Sequence, residues 1–164
     1  MGTRAKVRMA SSVDYAWAAG FIEADGCIHL AKQKFPTAHI IVVQRDVRPL
    51  NRLQAIFGTQ QKIGQLRKRY KNTHVVYYRW QCSGALAATI LQKILPYLDH
   101  KRELAQVALD LCQSVANNAS KRGQHICTPQ SIIDYRHGLV VRARILTHHV
   151  ERLSEEAPLT GVLQ

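Results

Sequence analysis

Acid is scarce in this chain: 11 Asp and Glu stand against 23 Lys and Arg among 164 residues, leaving a net charge of +12. A surface so unbalanced attracts polyanions, of which nucleic acid is the commonest. Long apolar runs are also missing. No stretch approaches the roughly 20 residues that cross a bilayer, and the basic start MGTRAKVRMASS lacks the apolar segment of a secretory signal. The expectation is a soluble, intracellular protein, not secreted and not in a membrane. Cysteine is sparse and scattered: Cys27, Cys82, Cys112 and Cys127 form no Cys-x-x-Cys and no paired Cys/His spacing. That excludes the common zinc frameworks and reads as reduced, small buried hydrophobes. No repeat and no low-complexity segment occurs. What is present, 46% hydrophobic and 21% charged residues, is the composition of a folded chain with one core.

Ser12 is placed to cap a helix over about 13–24, with Asp14 in its first turn and Gly26 as a terminator where positive φ is expected. CIHLAKQKFPTAHIIVVQ then reads as a hairpin of about 27–33 and 38–44, broken at Lys34, Phe35 and Pro36. RPLNRLQAIFG gives a short helix with Leu50, Leu53, Ile56 and Phe57 on one side and Gly58 at its end. A second hairpin, IGQLRKRYKNTHVVYYRWQC, turns at residues 71–73. Helices follow over about 84–95, stopped by Pro96, then about 100–117, and a last region opened by Thr128 and Pro129. The order αββαββααα predicts an α+β domain with a four-stranded antiparallel sheet. One domain is expected over 1–164, with its core at about 12–118 and a helical C-terminal region at about 128–153.

The second hairpin alternates most clearly. One face is expected to carry Gln65, Arg67, Arg69 and Lys71 with Tyr77, Arg79 and Gln81, and the other Leu66, Tyr78, Trp80 and Cys82. Any half-buried sheet puts polar residues outward. Arg and Gln, however, pair bidentately with guanine and adenine, and a two-stranded ribbon fits the major groove. By the same parity the first hairpin turns His29, Ala31 and Gln33 outward with His39 and Ile41.

On the first helix Ala16, Ala19, Gly20 and Glu23 fall at i, i+3, i+4 and i+7, a narrow face of small residues, beside a bulkier stripe of Trp17, Phe21 and Ala24 expected to face the core. The small face suits either another helix of the same chain or the same helix in a second copy across a two-fold axis. Glu23 and Asp25 follow at the helix C-terminus, where the dipole opposes an acid. An Asp-Gly turn is ordinary punctuation; a divalent cation such as Mg²⁺, held by carboxylate, phosphate and water, is the alternative.

AAGFIEADG, Ala18 to Gly26, resembles the LAGLIDADG signature of homing endonucleases, with Ala18 where Leu is usual and Glu23 where Asp is frequent. The likeness runs to about residue 118. The motif occurs once, so the resemblance is to the single-motif homodimeric members, often encoded in group I introns. It implies an αββαββα fold with a saddle-shaped sheet and helices on one face. It further implies a site-specific, metal-dependent endonuclease that holds a long, nearly palindromic double-stranded DNA site through hairpins in the major groove. Such an enzyme cuts both strands across the minor groove, leaving short 3′ overhangs. By position the resemblance assigns metal binding to Asp25 and to the carbonyl of Ala24, water ordering to Gln44, and charge stabilisation on phosphate to Arg48 and Lys101. Asp46 and Asp99 lie near enough in sequence to pair with those basic groups. Mg²⁺ is the implied cofactor, with Mn²⁺ substituting and Ca²⁺ supporting binding without cleavage. The implied location is with the DNA, in a prokaryotic cytoplasm or an organelle matrix. An intron RNA maturase, binding its own intron RNA, and a non-catalytic DNA-binding regulator are the rival functions on the same scaffold.

Overall fold

A capping box starts the first helix, α1 (Ser12–Asp25). Ser11, not the expected Ser12, is the cap: its Oγ accepts from the Asp14 N–H at 3.3 Å, and the Asp14 carboxylate accepts the Ser11 N–H at 3.0 Å. The helix ends where expected, for a different reason. Gly26 has φ −93° and is extended, so no left-handed turn is needed. A Cβ there would sit 2.7 Å from the carbonyl oxygen of Ile22, so only glycine lets the chain turn from helix into strand at this point.

The computed structural model describes residues 10–33, 35–70, 73–119 and 128–156. After α1 come β1 (Gly26–Ala31), β2 (Thr37–Gln44), α2 (Arg48–Phe57), β3 (Gly64–Tyr70) and β4 (Thr73–Ser83). Then follow α3 (Gly84–Ile94), a 3₁₀ turn at Leu95–Tyr97, α4 (Arg102–Ala119) and α5 (Gln130–Glu156). The element order is the one expected. Gly58 closes α2 in the left-handed conformation, φ 62°, as its position after the last apolar residue suggests. The strands form one antiparallel sheet in the order β1-β2-β4-β3, so both hairpins are present and β2 lies beside β4 at its centre.

One sheet face is buried. Ile28, Leu30, Ala38, Ile40, Val42, Trp80 and Cys82 pack against α1 to α4, with Ile22, Leu50, Leu53, Ile90, Leu91 and Leu111 fully enclosed. The core face of α1 is Ala18, Ala19 and Ile22, not the expected Trp17, Phe21 and Ala24. Small residues let α1 sit close to the core. Trp17 and Phe21 stack on each other at its rim, 5.2 Å between centroids, with the Arg52 guanidinium 3.9 Å above Trp17, and Ala24 is exposed. The long α5 packs on α4 and β1 with Leu139, Val140 and Ala143 buried, and the buried Arg136 donates to the Ser114 hydroxyl at 3.0 Å and its carbonyl at 2.6 Å. Cys82 and Cys112 are buried, and burial pushes the Cys82 thiol up to about 12. Cys27 departs from the expectation: it is exposed, because its parity in β1 turns it away from the core. Cys127 lies outside the described residues.

Candidate functional site

Two features meet at one end of the sheet: the C-terminus of α1 and the last residues of β2. The register Gly26↔Val42 sets Asp25 beside the strand that ends at Gln44, and the chain then runs through Asp46 into α2. Asp25 is exposed, and among the described residues its carboxylate takes part in no hydrogen bond or ion pair. Glu23, two residues before it, is engaged through one carboxylate oxygen. Glu23 Oε1 accepts the backbone N–H of Asp99 at 2.8 Å and of Lys101 at 3.0 Å, fastening the turn after the 3₁₀ segment to α1.

Lys101 completes that fastening. Its ammonium donates to the carbonyls of Ile22 at 3.0 Å, Glu23, and Gly26 at 2.7 Å, which uses all three of its protons. The positive charge lies at the negative end of the helix dipole. Burial lowers its pKa below the ordinary lysine value, while Cys27, Glu23 and Asp25 pull the other way. In this arrangement the Lys101 side chain is turned inward as a cap on carbonyls at the end of α1. It passes over the carbonyl of Ala24. The Asp25 carboxylate and the Ala24 carbonyl, consecutive in sequence, are hard oxygen donors of the kind Mg²⁺ takes, incomplete without water or phosphate oxygens. No group of three or more His, Cys, Asp or Glu gathers among the described residues.

Arg48 is held too. Its Nε lies 2.8 and 3.0 Å from the Asp46 carboxylate and its Nη2 2.6 Å, with both groups solvent-accessible, and the guanidinium keeps the Asp46 carboxyl below the usual carboxylate range. The pairing with Asp46 that the sequence allows is present; the one allowed for Asp99 is not, since Asp99 lies 3.9 Å from His100. A cation the sequence reading missed is Arg45, which donates to the Tyr77 hydroxyl at 3.4 Å and lies 5.5 Å from that ring's centroid. Only the strand pairing brings them together, so no local signal could have found it.

The uncovered sheet face carries Cys27, His29 and Ala31 from β1, His39, Ile41 and Val43 from β2, and Tyr77, Arg79 and Gln81 from β4. His29 stands directly opposite His39, and Gln81 Nε2 lies 3.1 Å from His39 Nδ1. Arg79 Nε is shut off from solvent and has no hydrogen-bond partner among the described residues. Two expectations need correction. Gln33 lies beyond the end of β1, exposed in the turn, where its N–H meets the Ala31 carbonyl at 3.1 Å. Gln65, Arg67 and Arg69 pair with Tyr78, Val76 and His74, and so share the opposite face from Tyr77, Arg79 and Gln81. Gln65 and Tyr78 indeed line one cleft with Asn51 and Gln54 of α2. The expected turn spans three residues, 71–73, whereas Thr73 already pairs with Tyr70, and one residue of offset exchanges the faces. Arg67 and Arg69 are exposed all the same; Lys71 lies outside the described residues.

The small face of α1 also differs in detail. Ala19 is wholly buried in the chain's own core and Glu23 is taken by the 99–101 turn, so these two leave the proposed interface. What remains outward is Val13, Ala16, Gly20 and Ala24, a stripe at i, i+3, i+7 and i+11. A Cβ on Gly20 would meet nothing of this chain within 4 Å.

Comparison with known proteins agrees with this architecture. A family model described as LAGLIDADG endonuclease matches residues 18–113. DNA endonuclease I-CvuI of Chlorella vulgaris is 30% identical over 109 residues, 63% of this chain and 66% of that protein, so the match spans just under two thirds of this relative. Among solved structures, I-CvuI in complex with an I-CreI target in the presence of Mg, its DNA not cleaved, superposes with a TM-score of 0.59 at 21% identity. That likeness covers 92% of this chain and 87% of the other. An archaeal intron-encoded homing endonuclease complexed with DNA gives a TM-score of 0.59 at 13% identity, over 82% of this chain and 84% of its own. At these identities the structural matches show the fold.

Proposed function

The chain belongs to the LAGLIDADG endonuclease family, and we propose that it is a site-specific homing endonuclease acting on double-stranded DNA as a homodimer. The observation that carries this reading is the Asp25 carboxylate, without a hydrogen bond or ion pair among the described residues, at the end of a helix whose outward stripe is small, set at the edge of an uncovered strand face. Two copies meeting along Val13, Ala16, Gly20 and Ala24 bring two Asp25 carboxylates together, one for each strand.

Asp25 and the Ala24 carbonyl would hold a divalent cation, Mg²⁺ or Mn²⁺, which supplies polarisation of a phosphoryl oxygen and activation of water. The rest falls to the chain itself. Lys101 and Glu23 lock the last turn of α1 and so fix where the Asp25 carboxylate points. Gln44 ends β2 at the same corner and would orient a water. Arg48, on its exposed tether to Asp46, supplies positive charge at the start of α2. The strand face enters the major groove with His29, His39, Ile41, Tyr77, Arg79 and Gln81, while Arg67 and Arg69 lie on the other side of the second hairpin and meet backbone phosphate. Cleavage across the minor groove leaves short 3′ overhangs, and the protein resides with its DNA.

The test is cleavage of duplexes carrying candidate insertion sites, with Mg²⁺, with Ca²⁺ and with chelator. Asp25→Asn should lower cleavage on the order of 10²–10³-fold, the scale for removing one charge-stabilising group, with binding retained. Binding without cleavage by the unaltered protein in Mg²⁺ would instead mark a DNA-binding regulator.

A further inference from the structure

Building on the DNA-binding reading, we propose that His39 and Gln81 act as one specificity-determining pair, in which the protonation state of the imidazole sets the direction of the Gln81 amide and thereby the base accepted in the groove. The two side chains come from the adjacent central strands β2 and β4. Their outward positions are fixed by the pairings His39↔Ser83 and Ile41↔Gln81, which leave them diagonal neighbours, and Gln81 Nε2 stands 3.1 Å from His39 Nδ1.

A neutral imidazole has one donor nitrogen and one acceptor. With the amide NH₂ turned to Nδ1, that nitrogen accepts, and the ring proton sits on Nε2. The pair then shows the groove a ring N–H donor and the amide oxygen as an acceptor, together with the second amide N–H. Donor beside acceptor matches the N7 and N6 amino group of adenine. When the ring takes a proton from solvent, Nδ1 becomes a donor and can meet only the amide oxygen. One N–H···N bond breaks, one N–H···O bond forms, and the amide turns over about its Cγ–Cδ bond. Only donors now face outward, which matches O6 and N7 of guanine.

The surroundings keep the free protein in the first state. His29 faces His39 from β1, with ring centroids 6.3 Å apart, and Arg79 lies on the same face of β4 two residues from Gln81. On the far side of His29, Arg144 of α5 lines the cleft over Ile28 and Leu30. Burial first, then His29 and Arg79, lower the His39 pKa from 6.5. The negative charge of incoming DNA phosphate opposes the effects of His29 and Arg79 and favours the proton.

The experiment is selection from a randomised duplex library by the full chain in Ca²⁺, at about pH 8 and about pH 5, which bracket the histidine range. At one base pair of each half-site the preference for adenine over guanine should fall about tenfold at the lower pH, the scale of one base contact. His39→Phe and Gln81→Met should each remove that shift. Nitrogen-15 spectra of the DNA-free protein at pH 8 should show the His39 proton on Nε2. A proton on Nδ1, a profile identical at both pH values, or a shift that survives Gln81→Met would overturn the pair while leaving sequence-specific binding intact. No enriched sequence at either pH would overturn the DNA-binding reading, and the pair with it.

Discussion

Asp25 and Lys101 sit at one helix end with opposite fates: the acid has no hydrogen bond or ion pair among the described residues, and the base has spent every proton on carbonyls. Lys101→Met should therefore cost about 1–3 kcal/mol of stability, measured by urea denaturation, since several carbonyls lose a charged donor at once. Cleavage should fall with it as the Asp25 carboxylate loses its fixed direction. A large loss of cleavage at unchanged stability would instead put Lys101 on phosphate. His39 gives a residue-scale pH effect. Its folded pKa is lowered from 6.5, so the unfolded chain binds this proton more readily. The sign follows: this contribution is full above pH 6.5 and is lost as pH falls through the window beneath it. Melting temperatures followed downward from pH 7 should decline less steeply in His39→Phe.

At the scale of elements, α1 has two glycines that do opposite work, and the contrast separates fold from assembly. At Gly26 an added Cβ lies 2.7 Å from the Ile22 carbonyl oxygen and 2.9 Å from its Cα, so Gly26→Ala must displace backbone next to Asp25. We expect a loss of about 1–3 kcal/mol, the usual cost of overpacking, visible in thermal melts of the protein alone. At Gly20 an added side chain meets nothing of its own chain within 4 Å. Gly20→Glu should melt at or above the unaltered temperature, since it gains helix propensity, yet sediment as a monomer and fail to cut both strands. A dimer that persists in Gly20→Glu would remove α1 from the interface.

For the whole molecule, the net +12 is not concentrated where base reading is proposed. The uncovered face holds Arg79 and, just past the end of β2, Arg45 against Tyr77, whereas Lys32, Lys62, Arg67, Arg69, Arg142 and Arg144 are exposed elsewhere. Affinity and selectivity should then separate with salt. Raising salt from about 50 to about 200 mM should weaken binding by roughly 10³–10⁵ if about 6–10 phosphates are engaged, measured by fluorescence anisotropy. The base profile should change little over the same range, because hydrogen bonds in the groove release few counterions. An equal loss of both would place the recognition residues on phosphate.

Much of this was legible in the residues alone. Apolar periods of two and of about 3.6, broken by Gly58, Pro96 and Pro129, set the element order and class, because each element must bury one face and local punctuation says where it stops. AAGFIEADG carried the family and singled out Asp25. Other features depend on atoms far apart in the chain, and no local pattern encodes them: Glu23 and Lys101 closing on each other across 78 residues, Arg45 reaching Tyr77, and Gln81 reaching His39. The face occupied by Arg67 and Arg69 belongs with these, since strand parity is decided by register, and register by the packing of the whole sheet on its helices.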